Sequence, residues 1–295
     1  MKNKELPQIG LGTWLLEAKN VDLALSTAKE SGYNHIDTAQ LYNNEYQIGQ
    51  AVKKLNYDCY ITTKIWPLNY KNYTRKSFFQ SLERLEMSKI DLVLLHWPLT
   101  DELNAKAYKE LMTLREEGYV NNVGVSNFSI IQLEKLREEA GEYPYSNQIM
   151  FSPITQEKEL IEFCRKNNIV VTGYSSIRPY YNPRYEWQEL KKEEKESIDL
   201  MADKYNKKPA QIILRWALEK GLTIIPKSMW STRIKENIEI LDFKLTEDEI
   251  QIINNMNRPE ISEMWNKKVI IKADEWDKKL EQGLLFDKNY DESIL

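Results

Sequence analysis

Four side chains in the first third of the sequence could together move a proton: Asp37, Tyr42, Lys64 and His96. A phenol has a pKa of about 10, so a tyrosine alone is a poor acid or base at neutral pH. We expect an adjacent Lys64 ammonium to lower the pKa of Tyr42, while Asp37 keeps that lysine charged. A histidine beside them can donate a hydrogen bond to a substrate oxygen. The set predicts chemistry in which an oxyanion is protonated as it develops. It contains no activated nucleophile and no metal-ligand spacing.

Short apolar runs alternate with amphipathic stretches along the first 255 residues, and these elements must position the four groups. Most of the runs lack polar–apolar alternation, which is typical of parallel strands buried on both faces. The candidate strands cover residues 9–12, 35–38, 60–64, 90–96, 120–125, 147–150, 169–174 and 223–226. Eight strands with helices between them predict an α/β fold, a single (β/α)8 TIM barrel. A doubly wound open sheet is the alternative, but eight successive units favour closure.

The ends of the candidate strands carry the polar residues. In a (β/α)8 barrel, functional groups project from the carboxyl ends of the strands. Asp37, Lys64 and His96 end three consecutive strands, and Tyr42 follows closely enough to lean back over them. An isolated Asp37–Lys64 pair would be read as a structural ion pair, but Tyr42 and His96 at the same rim favour a catalytic role.

We expect one domain over residues 1–295, with the barrel spanning about 8–240. Two helical segments are surplus to eight units, one near residues 195–205 and one near 246–256. The tail, residues 257–295, loses the alternation, so we expect an extended and partly irregular segment packed on the barrel. Among its many charges it carries Trp265, Trp276 and Phe286.

The composition excludes several classes of protein. A net charge of −4 argues against a nucleic-acid-binding protein. No apolar run is long enough to span a bilayer, and because the opening residues are polar we expect no secretory signal. Cys59 and Cys164 lie in apolar runs without a CxxC motif, and we interpret them as reduced thiols of a cytoplasmic protein. His35, inside a strand, is expected in the core. We expect a monomer, although the sequence leaves oligomers open.

Five motifs fall at these predicted strand ends in chain order. They are GYNHIDTA at 32–39 with Tyr42, Asn44, Glu45 and Gly49 after it, LLHWP at 94–98, GVSNF at 124–128, IPKS at 225–228 and RIKEN at 233–237. Together they resemble the signatures of the aldo-keto reductase superfamily, and the resemblance covers about residues 6–258. It implies a catalytic tetrad of Asp37, Tyr42, Lys64 and His96, with Tyr42 as the general acid.

The resemblance also implies an NADPH cofactor, bound in an extended form without a Rossmann domain. By the family pattern, Ser126, Asn127 and Gln148 hold the carboxamide, the Tyr174 ring stacks on the nicotinamide, and Ser175 is a further cofactor-binding residue. The adenosine end is held by Lys227, Ser228 and Arg233 at the 2′-phosphate and by Glu236 and Asn237 at the adenine. Two cations and a hydroxyl beside a helix start are a natural anion site, which favours NADPH over NADH.

The substrate implied by the resemblance is a small molecule with a carbonyl group, in a pocket lined by Trp14, Trp66 and Trp97. The loop after LLHWP is short, which favours an open pocket and small or medium carbonyl compounds. The sequence departs from the family pattern after Gln148, where Met150 and Ser152 replace a glutamate and a histidine.

Three functions are compatible with these residues. The first is an enzyme that transfers hydride reversibly between NADPH and an aldehyde or ketone, with the chemistry supplied by the cofactor. The second is a non-catalytic regulatory subunit that senses the nucleotide, although a sensor has no need of a proton donor. The third is an aldolase with Lys64 as the nucleophile. Such a lysine should be unpaired, whereas Asp37 would keep Lys64 charged.

Overall fold

Eight short parallel strands form the centre of the molecule. The structure is a computed structural model that describes residues 5–183 and 185–281. In this part of the chain, the strands pair in chain order as β1 (Leu11–Gly12), β2 (His35–Asp37), β3 (Tyr60–Ile65), β4 (Ile90–Leu95), β5 (Val120–Ser126), β6 (Ser146–Met150), β7 (Val170–Tyr174) and β8 (Thr223–Ile224). The two edges also meet, because Ile9 forms a parallel bridge with Ile224 and the Gly10 amide donates to the Ile224 carbonyl at 2.8 Å. The sheet thus closes into a ring, and each strand overlaps a predicted one.

Helices follow the strands, and several begin or end where the sequence indicates. They are α1 (Ala18–Glu30), α2 (Glu45–Lys54), α3 (Thr74–Leu85), α4 (Asp101–Glu116), α5 (Ile130–Ala140), α6 (Lys158–Lys166), α7 (Arg178–Tyr181), α8 (Lys192–Tyr205), α9 (Pro209–Glu219), α10 (Ser231–Ile238), α11 (Glu247–Asn254) and α12 (Pro259–Glu281). Ser129 caps α5 by accepting from the Gln132 amide, and Gly141 ends it with a φ of 89°. Thr246 and Glu249 form a capping box at α11. None of these helices is both long and apolar enough to cross a membrane.

The core includes one of the two histidines. His35 is buried inside the ring, where its Nε2 lies 3.0 Å from the Thr62 hydroxyl. Burial lowers the pKa of His35 to about 4, so the ring is neutral at neutral pH. Cys59 and Cys164 are buried and are not joined in a disulfide. These three residues occupy the core positions that their apolar surroundings predict.

The C-terminal segment differs from the expectation of an extended, irregular tail. Residues 259–281 form α12, the longest helix in the described part of the chain. Ile261, Trp265 and Val269 recur every four residues, so one face of a helix can pack while the charged residues stay in water. Ile261 and Val269 are buried accordingly. Phe286 lies outside the described residues, as does the side chain of Trp276.

Candidate active site

A buried ion pair forms the base of the site. Asp37 ends β2, and Lys64 is the next to last residue of the adjacent strand β3. Lys64 Nζ lies 2.6 Å from Asp37 Oδ1 and donates to the Thr38 carbonyl at 2.8 Å. Both side chains are almost completely buried, with exposed fractions of 0% and 2%. Burial lowers the pKa of Lys64, and the negative charge of Asp37 opposes that effect. Lys64 is therefore held in an ion pair with Asp37.

Tyr42 contacts this pair from the end of a short 3₁₀ helix, Gln40–Tyr42. Its hydroxyl accepts from Lys64 Nζ at 3.4 Å. The expectation that Lys64 lowers the pKa of Tyr42 is wrong: burial, and then the charge of Asp37, raise that pKa well above its ordinary value of 10. The desolvation of a phenolate outweighs the attraction of an ammonium group that Asp37 already neutralises. Tyr42 therefore keeps its proton at neutral pH, which is the state that a proton donor requires.

His96 follows β4 and faces the tyrosine. Its ring centroid lies 5.8 Å from that of Tyr42, in an edge-to-face arrangement of 78°. Burial, reinforced by the charge of Lys64, lowers the pKa of His96 well below its ordinary value of 6.5. The imidazole is therefore neutral and has one donor and one acceptor nitrogen. Nδ1 has no hydrogen-bond partner within residues 5–183 and 185–281. His96 can thus act as a hydrogen-bond donor to an oxygen without adding a charge to the site.

The predicted nicotinamide-binding residues lie beside this group. Gln148 Nε2 donates to Asp37 Oδ2 at 2.8 Å, so it holds the carboxylate oxygen that is not paired with the lysine. Ser126 Oγ donates to the Gln148 carbonyl at 2.9 Å, and the Tyr174 hydroxyl donates to Asn127 Oδ1 at 2.7 Å. The structure therefore brings together amide and hydroxyl groups that could hold a carboxamide. Their binding role stays a prediction.

One cavity of about 700 Å³ is bordered both by the residues around Tyr42 and by the cationic residues that follow β8 in the chain. Its inner wall includes Asp37, Tyr42 and His96. The wall continues through Ser175, Lys227, Ser228, Arg233, Glu236 and Asn237. The cavity is as large as those that enclose drug-sized and cofactor-sized ligands. Two cations and a hydroxyl near the start of α10 are an appropriate environment for a phosphate.

The three predicted pocket tryptophans do not all reach the cavity. Trp14 and Trp97 line it, whereas Trp66 is completely buried and packs edge-to-face against His96 at 5.4 Å. Trp66 therefore packs against His96 without lining the cavity. The sequence analysis missed Trp265, which lines the cavity from α12 and lies 5.8 Å from Trp97. Its four-residue spacing from Ile261 and Val269 was a usable signal, but the tail was not expected to be helical.

Other cavity residues were also missed, and two of them had a usable signal. Arg178 lies just after β7, and Trp230 lies between the IPKS and RIKEN motifs; both line the cavity. Of the two departures from the family pattern, Met150 lines the cavity. Ser152 is buried, and its hydroxyl lies 2.6 Å from the Thr155 hydroxyl. Met150 and Ser152, the two departures from the family pattern, therefore do not displace Gln148.

Comparisons with known proteins agree with this geometry. A family model described as the aldo/keto reductase family matches residues 8–258. The chain is 36% identical over 256 residues to methylglyoxal reductase DkgA of Yersinia pestis, covering 85% of this chain and 89% of that protein. It is also 36% identical over 258 residues to a 9,11-endoperoxide prostaglandin H2 reductase of Trypanosoma cruzi, covering 85% and 88%.

Solved structures are similar over the same extent. An aldo/keto reductase of Brucella melitensis aligns with a TM-score of 0.78 at 36% identity, covering 86% of this chain and 96% of that one. An aldo-keto reductase of Bombyx mori in complex with NADP aligns with a TM-score of 0.79 at 29% identity, covering 86% and 90%. The match to the family model and these identities together show that the chain belongs to the aldo/keto reductase family.

Proposed function

We propose that the protein is an NADPH-dependent carbonyl reductase that converts an aldehyde or ketone reversibly to the alcohol. The observation that carries the proposal is the contact of a protonated Tyr42 with the buried Asp37–Lys64 pair, beside a neutral His96 and at the wall of one large cavity. The relatives named as reductases, and the relative in complex with NADP, support the same activity.

The residues present fit a nicotinamide dinucleotide phosphate. The amide groups of Asn127 and Gln148 border the cavity at its catalytic end, and the cations Lys227 and Arg233 border it at the other end. An extended ligand with a carboxamide at one end and phosphates at the other matches this order of groups. Burial lowers the pKa of Lys227, and the charge of Glu17 opposes the effect. We assign Ser126, Tyr174 and Ser175 to the nicotinamide end and Ser228, Glu236 and Asn237 to the adenosine end.

Bound NADPH would supply the hydride that reaches the carbonyl carbon. The chain supplies the rest. His96 donates a hydrogen bond to the carbonyl oxygen, which polarises the C=O bond. As the oxygen gains negative charge, the Tyr42 hydroxyl transfers its proton to it, and Lys64 stabilises the phenolate that remains. Asp37 keeps Lys64 charged and fixed in a site where burial alone would favour the neutral amine.

The substrate side of the cavity is aromatic. Trp14, Trp97 and Trp265 line it, and the Arg178 guanidinium lies over the Trp14 ring, 5.4 Å from its centroid. The loop between β4 and α4 is short, since β4 ends at Leu95 and α4 begins at Asp101. We therefore propose aldehydes and ketones of small or medium size as substrates. Methylglyoxal belongs in the test panel because of the named activity of the DkgA relatives.

The direct test measures consumption of NADPH with a panel of carbonyl compounds, for the wild type and for Tyr42→Phe. We expect turnover in the variant to fall by about a hundred-fold or more, with NADPH affinity nearly unchanged, because only the proton donor is removed. Tyr205→Phe is a matched control, since it removes a hydroxyl that donates to Glu249 at 2.6 Å, outside the cavity wall. Turnover in Tyr42→Phe equal to that of the wild type would refute the assignment.

The two other functions have less support. An aldolase would need Lys64 to attack a substrate, but this side chain is fully buried, paired with Asp37 and absent from the cavity wall. A nucleotide sensor would have no use for the protonated Tyr42 next to an ion pair. Tight binding of NADPH without turnover of any carbonyl compound would nevertheless favour the sensor. The single-domain boundaries 1–295, the monomeric state and the cellular location stay predictions.

A further inference from the structure

A large aromatic side chain stands exposed at the edge of the cavity. Most of the large apolar side chains that are exposed in the described residues lie away from the cavity, but Leu15, Tyr181 and Trp230 line it. Trp230 is the largest of these three, and 61% of its surface is exposed. An indole left in water at the wall of a binding cavity gains stability when a ligand covers it.

The backbone fixes Trp230 at this position. Its amide donates to Ser228 Oγ at 3.0 Å, and its carbonyl accepts from the Ile234 amide at 3.0 Å in the first turn of α10. The indole therefore lies on the segment that joins Lys227 and Ser228 to Arg233. Its neighbours along the chain are the cations and the hydroxyl proposed to bind the 2′-phosphate.

Tyr181, on α7, adds a second aromatic ring to the same part of the cavity wall. Its hydroxyl accepts from the Ala210 amide at 3.3 Å, which fixes α7 to the start of α9. Burial raises the pKa of Tyr181, and the nearby charges of Arg233 and Glu236 also act on it. Tyr181, Arg233 and Glu236 all line the cavity, so a ligand beside them meets aromatic rings as well as charges.

We propose that Trp230 is the stacking partner for the adenine ring of the dinucleotide. This inference rests on the proposed function, which orients the nicotinamide toward Tyr42 and the adenosine toward Arg233. A purine is the only flat, apolar-faced group of that cofactor that reaches the cationic end. Stacking of a base on an aromatic side chain does not depend on the 2′-phosphate, so Trp230 acts on both NADPH and NADH.

The first experiment measures dissociation constants for NADPH and NADH in the wild type, Trp230→Ala and Arg233→Ala. For Trp230→Ala we expect both affinities to weaken by about ten-fold, the usual contribution of one base–aromatic stack. For Arg233→Ala we expect a larger loss for NADPH than for NADH. Leu241→Ala is the matched control, because Leu241 is 67% exposed but does not line the cavity. Unchanged affinities in Trp230→Ala, or a loss confined to NADPH, would overturn the inference.

The second experiment uses reduced nicotinamide mononucleotide, which lacks the adenosine, as the hydride donor. Turnover with this donor should be equal in the wild type and in Trp230→Ala. If Trp230→Ala loses as much turnover with this donor as with NADPH, the substitution only damages the fold, and the inference is overturned. If Trp230→Ala does not fold, Trp230→Phe keeps a ring, and part of the tryptophan fluorescence quenching by 2′,5′-ADP should disappear. Undiminished quenching would overturn the inference. A wild type that binds no dinucleotide would refute the proposed function itself.

Discussion

Acidification from about pH 7 to about pH 5 should destabilise the protein through its two histidines, His35 and His96. Both are buried, and burial lowers the pKa of His35 to about 4 and that of His96 well below 6.5. In the unfolded chain each imidazole titrates near its ordinary value of 6.5. Below that pH the unfolded state therefore binds protons that the folded state does not, and the free energy of unfolding falls as the pH falls.

The size of the effect follows from the two pKa values of each histidine. For a group that titrates at 6.5 when unfolded and at about 4 when folded, the free energy of unfolding falls by about 2 kcal/mol between about pH 7 and about pH 5. His96 adds to this loss, because burial also lowers its folded pKa well below 6.5. The loss of about 2 kcal/mol from His35 alone is already a sizeable part of the stability of an ordinary domain.

Urea unfolding at both pH values, followed by circular dichroism, measures this loss in the wild type, His35→Gln and His96→Gln. Glutamine keeps a hydrogen-bonding group but does not titrate, so His35→Gln should lose about 2 kcal/mol of the pH dependence and His96→Gln the share that His96 contributes, whatever the stability of each variant at neutral pH. The carboxylates are common to all three proteins and cancel in the comparison. A pH dependence that is equal in the wild type and both variants would show that the histidines are not buried as neutral rings.

Substitutions of Arg233, Lys64 and Asp37 test the charged groups of the candidate site. Arg233→Ala should weaken NADPH binding by at least about ten-fold more than NADH binding, because only NADPH carries the 2′-phosphate; equal losses in a titration would place the phosphate elsewhere. Lys64→Met leaves the Asp37 carboxylate buried without its cation and should cost about 3–5 kcal/mol in urea unfolding. The double variant Asp37→Asn with Lys64→Met removes both charges and should be more stable than the single variant, although equally inactive. A double variant no more stable than the single one would contradict a buried ion pair.

The barrel and the candidate site at its strand ends could be predicted because the strand pattern and the site share one cause. Parallel strands buried on both faces are mostly apolar runs, so the polar residues that follow a run indicate the carboxyl end of its strand. Asp37 and His96 can be located in this way from the sequence alone. The register of β2 and β3 then brings Lys64 within 2.6 Å of Asp37, as their place on neighbouring strands implies.

The residues that were misplaced are those whose position depends on side-chain orientation and on degree of burial. A sequence pattern contains neither quantity. Trp66 and Trp97 both follow a strand, but one side chain packs behind His96 and the other borders the cavity, a difference of orientation alone. Trp265 belongs to a segment whose four-residue apolar spacing was outweighed by its many charges. The direction of the pKa shift of Tyr42 was missed because the sequence names its neighbours without giving its degree of burial.

Burial accounts for the charge state of the whole site. It raises the pKa of Tyr42 and lowers that of His96, so both groups are neutral hydrogen-bond donors toward the cavity. The Lys64 charge is cancelled by Asp37, whose second oxygen is held by Gln148. In the proposed reaction, the substrate carbonyl therefore meets residues that together carry no net charge, and negative charge develops on its oxygen as the hydride is transferred. Donors that are already in place then stabilise this charge without a change in their own hydration, which favours the transition state over the bound substrate.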